Sequence, residues 1–508
     1  MSRLGMKVDW LGERIMFRCK VAIKDVFRVQ SANYPGELFP EALQALAHRR
    51  QLWKQITLGT DTFDVQERCF WSTMSSSSSS VLVQNLIRLS KPLKESLSRT
   101  PYTPPEANAS VSVKSQLQSL LPDPAISEAE VRIKVKDFAL CCAALASSSK
   151  STSIHLSWVP DSLSVSAVSA FKEFADAYDD DFMHSKCLMK VGEMELDFAG
   201  VVESEKKLVI DLMPEVVPLL KSNIKESAID ASDEGDGISA ASARAPVAYA
   251  ILAAYQFRWF VTQVDAQYIG KLSPLLIPCA LTALDHWSPE VKGQGMISFI
   301  YLVKNVNAEE IGGYADVILD ACCQNIASDD EIWHYVVEMS VLLVTLTQQR
   351  NPRSSWYEKL LNEMLNHLER QPRNKQRRIA WLTHCEPLFS GLGLMLLAHF
   401  RRLFPLFFKW MHADDDETVL LVLERMTTVV KLTWIRNSLY IERLVDELIT
   451  LYKDAALKVA REDIRSLILE MLKLICMSQG PQFNAMWIKH KDDPNLTALL
   501  PSLSAKEV

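Results

Sequence analysis

The side chains best suited to chemistry here are ten histidines and ten cysteines in a chain of 508 residues. A nucleophile needs a base within hydrogen-bond reach, and a metal needs ligands at recurring spacings. His384 stands next to Cys385, and His334 sits in a helical stretch. A lone His beside a Cys is ordinarily a packed or surface residue, and no constellation around either one builds a dyad. There is no CxxC and no CxxC…HxxxH spacing for zinc. HExxH, the GxSxG elbow, a phosphate loop ending in Lys-Ser or Lys-Thr, and GxGxxG after a strand are also missing. Asp414-Asp415-Asp416 resembles a metal cluster, but consecutive acids before a helix are better read as capping and dipole residues. The sequence therefore offers no catalytic, cofactor-binding or metal-binding residues, and points away from an enzyme.

One charge cluster remains. Arg370, Arg373, Lys375, Arg377 and Arg378 span a turn and the start of the next helix. Positive charge at a helix N-terminus opposes the helix dipole, so another reason must hold it there. The plain reading is a solvated turn. The sharper reading is a docking patch for an acidic or phosphorylated partner segment, with a nuclear-import signal as a third. The expected partner-binding residues are Arg373, Lys375, Arg377, Arg378 and Trp381, with a structural alternative for Arg377 and Arg378, pairing with acids of the adjacent repeat. Trp259, Trp287, Trp333, Trp356, Trp410 and Trp434 also fall on helix faces or beside turns, where core packing is the default and edge anchoring the alternative.

The elements that must position these residues are helices. From Leu272 to Leu284, apolar residues recur at i, i+3 and i+4, giving one buried helix face. Asp285–Pro289 interrupts the pattern, with Ser288 placed as N-cap and Pro289 as the first helical residue. A second helix follows, with Val291, Gly295, Phe299, Leu302, Val303 and Val306 inward. A mid-helix Gly costs about 1 kcal/mol against Ala unless another backbone comes close. Similar polar turns recur near Ser328–Asp330, Gln371–Arg373, Ala413–Asp415 and Ala460–Glu462. Their spacing of roughly 40–47 residues is that of HEAT and armadillo repeats. Pro274, Pro278 and Pro405 lie inside first helices and bend them, and an acid at the turn followed by Lys292 fits the HEAT pattern. The expected fold is an all-α, right-handed α-solenoid of HEAT/armadillo-like helix pairs.

Composition agrees. Glycine is scarce, with 16 residues, and good helix formers dominate. A net charge of −7 argues against a general nucleic-acid binder. The pairs Cys141-Cys142 and Cys322-Cys323 lie within helical patterns, where neighbours point apart, and read as free core thiols suited to a reducing compartment. No uninterrupted apolar run reaches the roughly 18 residues of a membrane span.

In order along the chain, residues 1–73 break from the rest in composition and read as a poorly ordered extension, with Met74 as the expected natural start. Ser75–Ser80 reads as a flexible leader to a helix carrying Val81, Ile87, Leu93 and Leu97. Residues 74–228 form an N-terminal helical region. In it, Ser127 and Glu130 are expected to make a capping box. Asp179-Asp180-Asp181 is expected to end one helix, and Val191–Val202 and Leu208–Leu220 to form others. Residues 229–244 read as an acidic flexible linker. Residues 245–480 form the repeat solenoid, including a helix over Leu394–Met411, and 481–508 form a capping tail.

Several blocks occur in a recognisable succession. They are LDxxxPExKxxG over Leu284–Gly295, Arg377-Arg378-Ile379-Ala380-Trp381, Leu388–Gly393 ending Gly-Leu-Gly, His399-Phe400-Arg401-Arg402-Leu403, and Glu417–Trp434 ending Leu-Thr-Trp. Over roughly the C-terminal half, the chain resembles the Tel-two-interacting protein two family. That family supplies the smaller HEAT-repeat subunit of the Triple T cochaperone complex. The resemblance implies a non-catalytic scaffold without cofactors that binds the Tel-two and Tel-two-interacting protein one solenoids. Through the ninety-kilodalton heat-shock chaperone machinery, it would support maturation of phosphatidylinositol-kinase-related kinases, and hence DNA-damage and growth signalling. No nucleic acid or membrane partner is expected. The same architecture would also serve a karyopherin-like transport adaptor or a phosphatase scaffold.

Overall fold

The computed structural model describes residues 76–103, 112–122, 130–149, 153–183, 189–191, 194–196, 203–227, 245–351, 353–433, 438–490 and 493–496. The described residues divide into two units, the first holding Ser76–Ser80 with Lys190–Val191 and the second the described residues of Val81–Met189 and Met194–Val508. The second holds nearly all described residues and is an α-solenoid of HEAT/armadillo-like helix pairs, as the turn spacing predicts. Residues 1–73, 229–244, 491–492 and 497–508, in segments for which separate roles are expected above, lie outside the described residues.

The N-terminal helices are α1 (Ser76–Arg99), α2 (Val113–Leu120), α3 (Val131–Ser148), α4 (Asp161–Met183) and α5 (Ser204–Glu226). Helix α1 already includes Ser76–Ser80, so these serines are helical rather than a flexible leader. Its buried face is Leu82, Leu86, Leu89, Leu93 and Leu97, whereas Val81 is exposed; a stripe begun at Val81 is one residue out of phase. Helix α3 opens at Val131, and Glu130 makes no side-chain cap, while Ser127 lies outside the described residues. Helix α4 runs through Asp179–Asp181 instead of ending there, because Lys207 and Ser204 of α5 bind the Asp179 carboxylate. The segment expected as a helix over Val191–Val202 instead opens on the last residue of strand β1 (Met189–Val191) and holds strand β2 (Met194–Leu196). Met-Lys-Val and Met-Glu-Leu alternate with the period of a strand, on either side of Gly192-Glu193.

The paired helices begin after α6 (Val247–Thr262). They are α7 (Ala266–Leu284) with α8 (Pro289–Asn305), and α10 (Ala315–Asn325) with α11 (Asp330–Gln348), joined through the short α9 (Ala308–Ile311). Then come α12 (Ser355–Arg370) with α13 (Lys375–His384), α15 (Phe400–Met411) with α16 (Asp416–Thr433), and α17 (Ser438–Asp454) with α18 (Arg461–Trp487); α14 (Glu386–Leu392) lies between the middle pairs. The second helices form one continuous layer in which α8 packs on α11, α11 on α13, α13 on α16 and α16 on α18. Pro289 is the first residue of α8, although the Ser288 side chain makes no cap hydrogen bond. Instead, the Ser288 amide donates to His286 Nδ1 at 3.0 Å. A Cβ at Gly295 would lie 2.8 Å from Ala283 Cβ, so this glycine lets α7 and α8 come close.

The stretch Glu386–Met411 is long and apolar enough to cross a membrane by composition. Here it is broken. Gly393 at φ +51° ends α14, Gly393–His399 forms a 3-10 helix, and α15 starts only at Phe400 rather than near Leu394. Phe400, Leu403, Phe404 and Phe407 of α15 are all buried in the helix stack. Phe404 stacks on Tyr440 with ring centroids 4.5 Å apart. Cys141, Cys142 and Cys322 are buried free thiols and Cys323 is a half-buried one.

Candidate docking surface

The turns within successive helix pairs meet along one edge of the solenoid, where side chains of each turn bind the next. Arg377 of α13 pairs with Asp330 of α11 and donates through Nη2 to the Ser328 carbonyl at 2.8 Å. Its guanidinium lies 5.3 Å from the Trp333 ring centroid, a cation–π contact. Asn374 adds a second bond to Asp330 at 2.7 Å. Arg378 reaches the other way, pairing with Asp415 and donating through Nε to Thr418 Oγ1 at 2.9 Å. Lys458 then reaches back, donating to the carbonyls of Ala413 at 2.6 Å and Asp414 at 3.1 Å, while the Ala460 amide donates to Asp416 at 2.8 Å. Four consecutive turns are thus tied by a charged ladder.

Electrostatics follow the geometry. Hydrogen bonds from Arg377 hold the Asp330 carboxyl below the usual carboxylate range. Burial alone would raise Asp415, but bonds from the Thr418 hydroxyl and amide and from Arg378 outweigh it and hold the carboxyl at about 2. The dipole penalty of two arginines at the start of α13 is offset by these partners.

The expected site residues therefore separate. The Arg377 and Arg378 side chains are only 7% and 12% exposed and belong to the ladder. Trp381 is fully buried against Phe389, Phe407 and Trp410, and offers a partner no surface. Lys375 is half exposed, 3.5 Å from Asp415 and 4.0 Å from Glu417. Arg373 is exposed and, with Arg370, makes no ion pair among the described residues. Trp333 and Trp410 are core residues, and Trp410 donates its indole N–H to the Pro372 carbonyl at 2.9 Å. Trp287 is half exposed on its turn, and Trp356 donates to Asp316 at 2.9 Å beneath Lys359. Trp434 lies outside the described residues.

Sequence reading missed the acceptors Asp330, Asp415 and Asp416 and the donor Lys458. The signal was present, since these acids and their bases recur one repeat apart, but it becomes legible only once the turns are aligned. It also missed Arg402, which grips Glu369 through two bonds of 2.7 and 2.8 Å and Asn362 and Asn366 at 2.9 and 2.8 Å, tying α15 to α12. The described residues contain no group of three or more His, Cys, Asp and Glu that could hold a metal ion.

The comparisons with known proteins bear on this edge only through the fold. The sequence is 54% identical over 434 residues to the uncharacterized protein At2g39910 of Arabidopsis thaliana, covering 85% of this chain and 97% of that protein. The chain belongs to that family. No protein-family profile matches it. Among solved structures it is similar to yeast importin-β (Kap95p), with 13% identity, a TM-score of 0.38 and coverage of 95% of this chain and 61% of that one. A Kap95:Nup1 complex gives 12% identity, a TM-score of 0.40 and coverage of 89% and 57%; Kap121p gives 11%, 0.29, and 84% and 48%. The chain thus spans about half to three-fifths of these karyopherins' length, and the likeness is one of helical-repeat fold alone.

Proposed function

We propose that this chain is a non-catalytic helical-repeat scaffold and, more specifically, a Triple T cochaperone subunit of the Tel-two-interacting protein two kind. Its partners would be the Tel-two and Tel-two-interacting protein one solenoids. Its role would be to support maturation of phosphatidylinositol-kinase-related kinases in the cytoplasm and nucleus. A stack of paired helices offers long surfaces for such work and needs no reacting group.

One observation carries the reading. The blocks behind the resemblance fall at the joints of the repeat stack rather than along its interchangeable leucines. Gly295 of LDxxxPExKxxG sits where two helices touch, and Gly393 of the Gly-Leu-Gly block holds a positive φ. Arg377 and Arg378 form ladder rungs, and Arg402 of the His-Phe-Arg-Arg-Leu block clamps α12. Generic amphipathic helices share leucines readily, but not this ordered set of joint residues.

The experiment is affinity purification of the tagged chain from its own cells with mass spectrometry. Recovery of the two other Triple T subunits supports the reading. Recovery of nuclear-transport factors with cargo, or of phosphatase subunits, without them replaces it. Depletion should lower the level of the client kinases without lowering their messenger RNA.

A further inference from the structure

The last rung of the ladder displays two aliphatic side chains to solvent. Leu457 is 94% and Val459 99% exposed. The turn between them is not loose. Lys458 is held by the Ala413 and Asp414 carbonyls and lies 3.5 Å from Asp416, and Ala460 is held by Asp416. A turn anchored at its centre presents Leu457 and Val459 in a fixed geometry, which lowers the ordering cost of binding. Acids surround them. Asp454, Glu462 and Asp463 flank the turn in sequence, and exposed Asp414 lies beneath Lys458. Of the other neighbouring bases, Arg461 lies 3.1 Å from Glu462 and Lys453 pairs with Asp493.

Two rungs upstream the same edge has the opposite character. Arg370 and Arg373 are exposed without an ion pair among the described residues, on either side of the half-buried Pro372. One turn, Ala413–Asp415, separates the basic turn from the acidic, apolar one.

We propose that this edge is a self-association surface on which a second copy of the chain docks with two-fold symmetry. An axis through the Ala413–Asp415 turn sets the Arg370–Arg373 turn of each copy against the Leu457–Asp463 turn of the other. A two-fold contact must be self-complementary, and this spacing of opposite charges about a middle turn makes it so. Leu457 and Val459 pack on Pro372 and the aliphatic stems of Arg370 and Arg373, whose guanidinium groups meet Glu462 and Asp463. Asp414 near the axis faces its own copy, a like-charge contact outweighed by opposite-charge ones and a mark of this geometry. With two aliphatic side chains and a few exposed charge pairs on each side, its affinity is expected on the order of 10–100 µM. The inference needs only this chain; it shares Arg373 with the partner-binding patch, and sedimentation of the purified chain with no partner present keeps the two apart.

Sedimentation equilibrium of the full chain over roughly 1–200 µM tests it, with circular dichroism as a check on folding. A monomer–dimer equilibrium is expected that weakens at high salt. Val459→Asp with Leu457→Asp, both on fully solvated side chains, should give a folded monomer. Arg370→Glu with Arg373→Glu, or Glu462→Arg with Asp463→Arg, should each weaken the dimer at least tenfold. The four charge changes together should restore it, and Asp414→Asn should tighten it. A wild-type chain that stays monomeric throughout overturns the proposal. So does a dimer indifferent to these reversals, or reversals that fail to rescue each other.

Discussion

Between α3 and α5 the helices are joined inside the stack by one charge network, whereas between α11 and α18 they are joined turn to turn by a series of rungs. Arg132 of α3 pairs with Asp211 and Glu215 of α5, donates to the Asp211 carbonyl at 3.0 Å and reaches Tyr178 of α4 at 3.2 Å. The Tyr178 hydroxyl closes the network by donating to Asp211 at 2.7 Å. Burial pulls the Arg132 guanidinium down, and Asp211, Tyr178 and Glu215 more than reverse it, leaving it raised. Here a single base serves three helices at once. In the ladder, separate bases each join only neighbouring turns. The difference predicts how each half fails. Losing Arg132 should loosen three helices together, while losing one rung should loosen one junction and spread only through neighbouring repeats.

The largest effects come from the buried groups. Arg132→Ala leaves the Asp211 and Glu215 carboxylates with their shared base gone, and should destabilise the chain by about 3–5 kcal/mol in denaturant titration. Arg132→Met combined with Asp211→Asn and Glu215→Gln should recover most of that loss; no recovery would show that the network does more than satisfy charge. Phe404→Ala, in the aromatic core under the ladder, should cost a similar 3–5 kcal/mol. A change under about 1 kcal/mol would contradict the burial of this ring.

A rung should be worth less and should depend on pH. The Asp415 carboxyl sits at about 2 in the folded chain against an ordinary 3.8. A depressed folded pKa means stability that is present above about pH 4 and lost as pH falls towards 2, worth about 2 kcal/mol. Asp415→Asn should remove this acid-labile part while leaving Arg132 and its partners intact. Thermal midpoints of the variant and the wild type from pH 7 to pH 2 check it, with the gap expected to close at the acid end.

Smaller still is the exposed edge. Arg373→Glu with Lys375→Glu should change stability by under about 0.5 kcal/mol, since Arg373 has no ion pair among the described residues and Lys375 only loose ones. Under the proposed function, capture of partner solenoids should fall, more at low salt than at high. Equal capture at both salts would move the docking surface elsewhere, with exposed Trp287 the next place to look.

The ladder half was the more legible of the two in sequence, and for a physical reason. Its turns recur, so Ser288-Pro289, Asp329-Asp330 and Asp415-Asp416 announce helix starts by local rules that need no tertiary knowledge. Gly295 was legible as a close approach because mid-helix glycine is costly otherwise. The structural role of Arg377 and Arg378 was legible only as an alternative to docking, pairing with acids of the adjacent repeat; which acids was not legible, because the acceptors lie 37 to 49 residues away. Lone exposed charge and rung look alike in one dimension. Trp381 misled in the same way, since a tryptophan beside a basic run reads as an anchor until the rings of Phe389, Phe407 and Trp410 are seen around it. In the N-terminal half the helices were visible, but Arg132, Tyr178, Asp211 and Glu215 carry no spacing that points to one another. The strands at 189–196 were lost to the expectation of continuous helix, although their alternation was there.

The claim that the basic run mainly holds repeats together is tested most directly by a double-mutant cycle on Arg378→Met and Asp415→Asn, read as unfolding free energy at pH 7. Both side chains are largely buried, at 12% and 18% exposure. The account predicts a coupling energy of about 1–3 kcal/mol between them. Additive effects within about 0.3 kcal/mol would mean that the rung does not join the repeats, and would return Arg378 to the partner-facing surface.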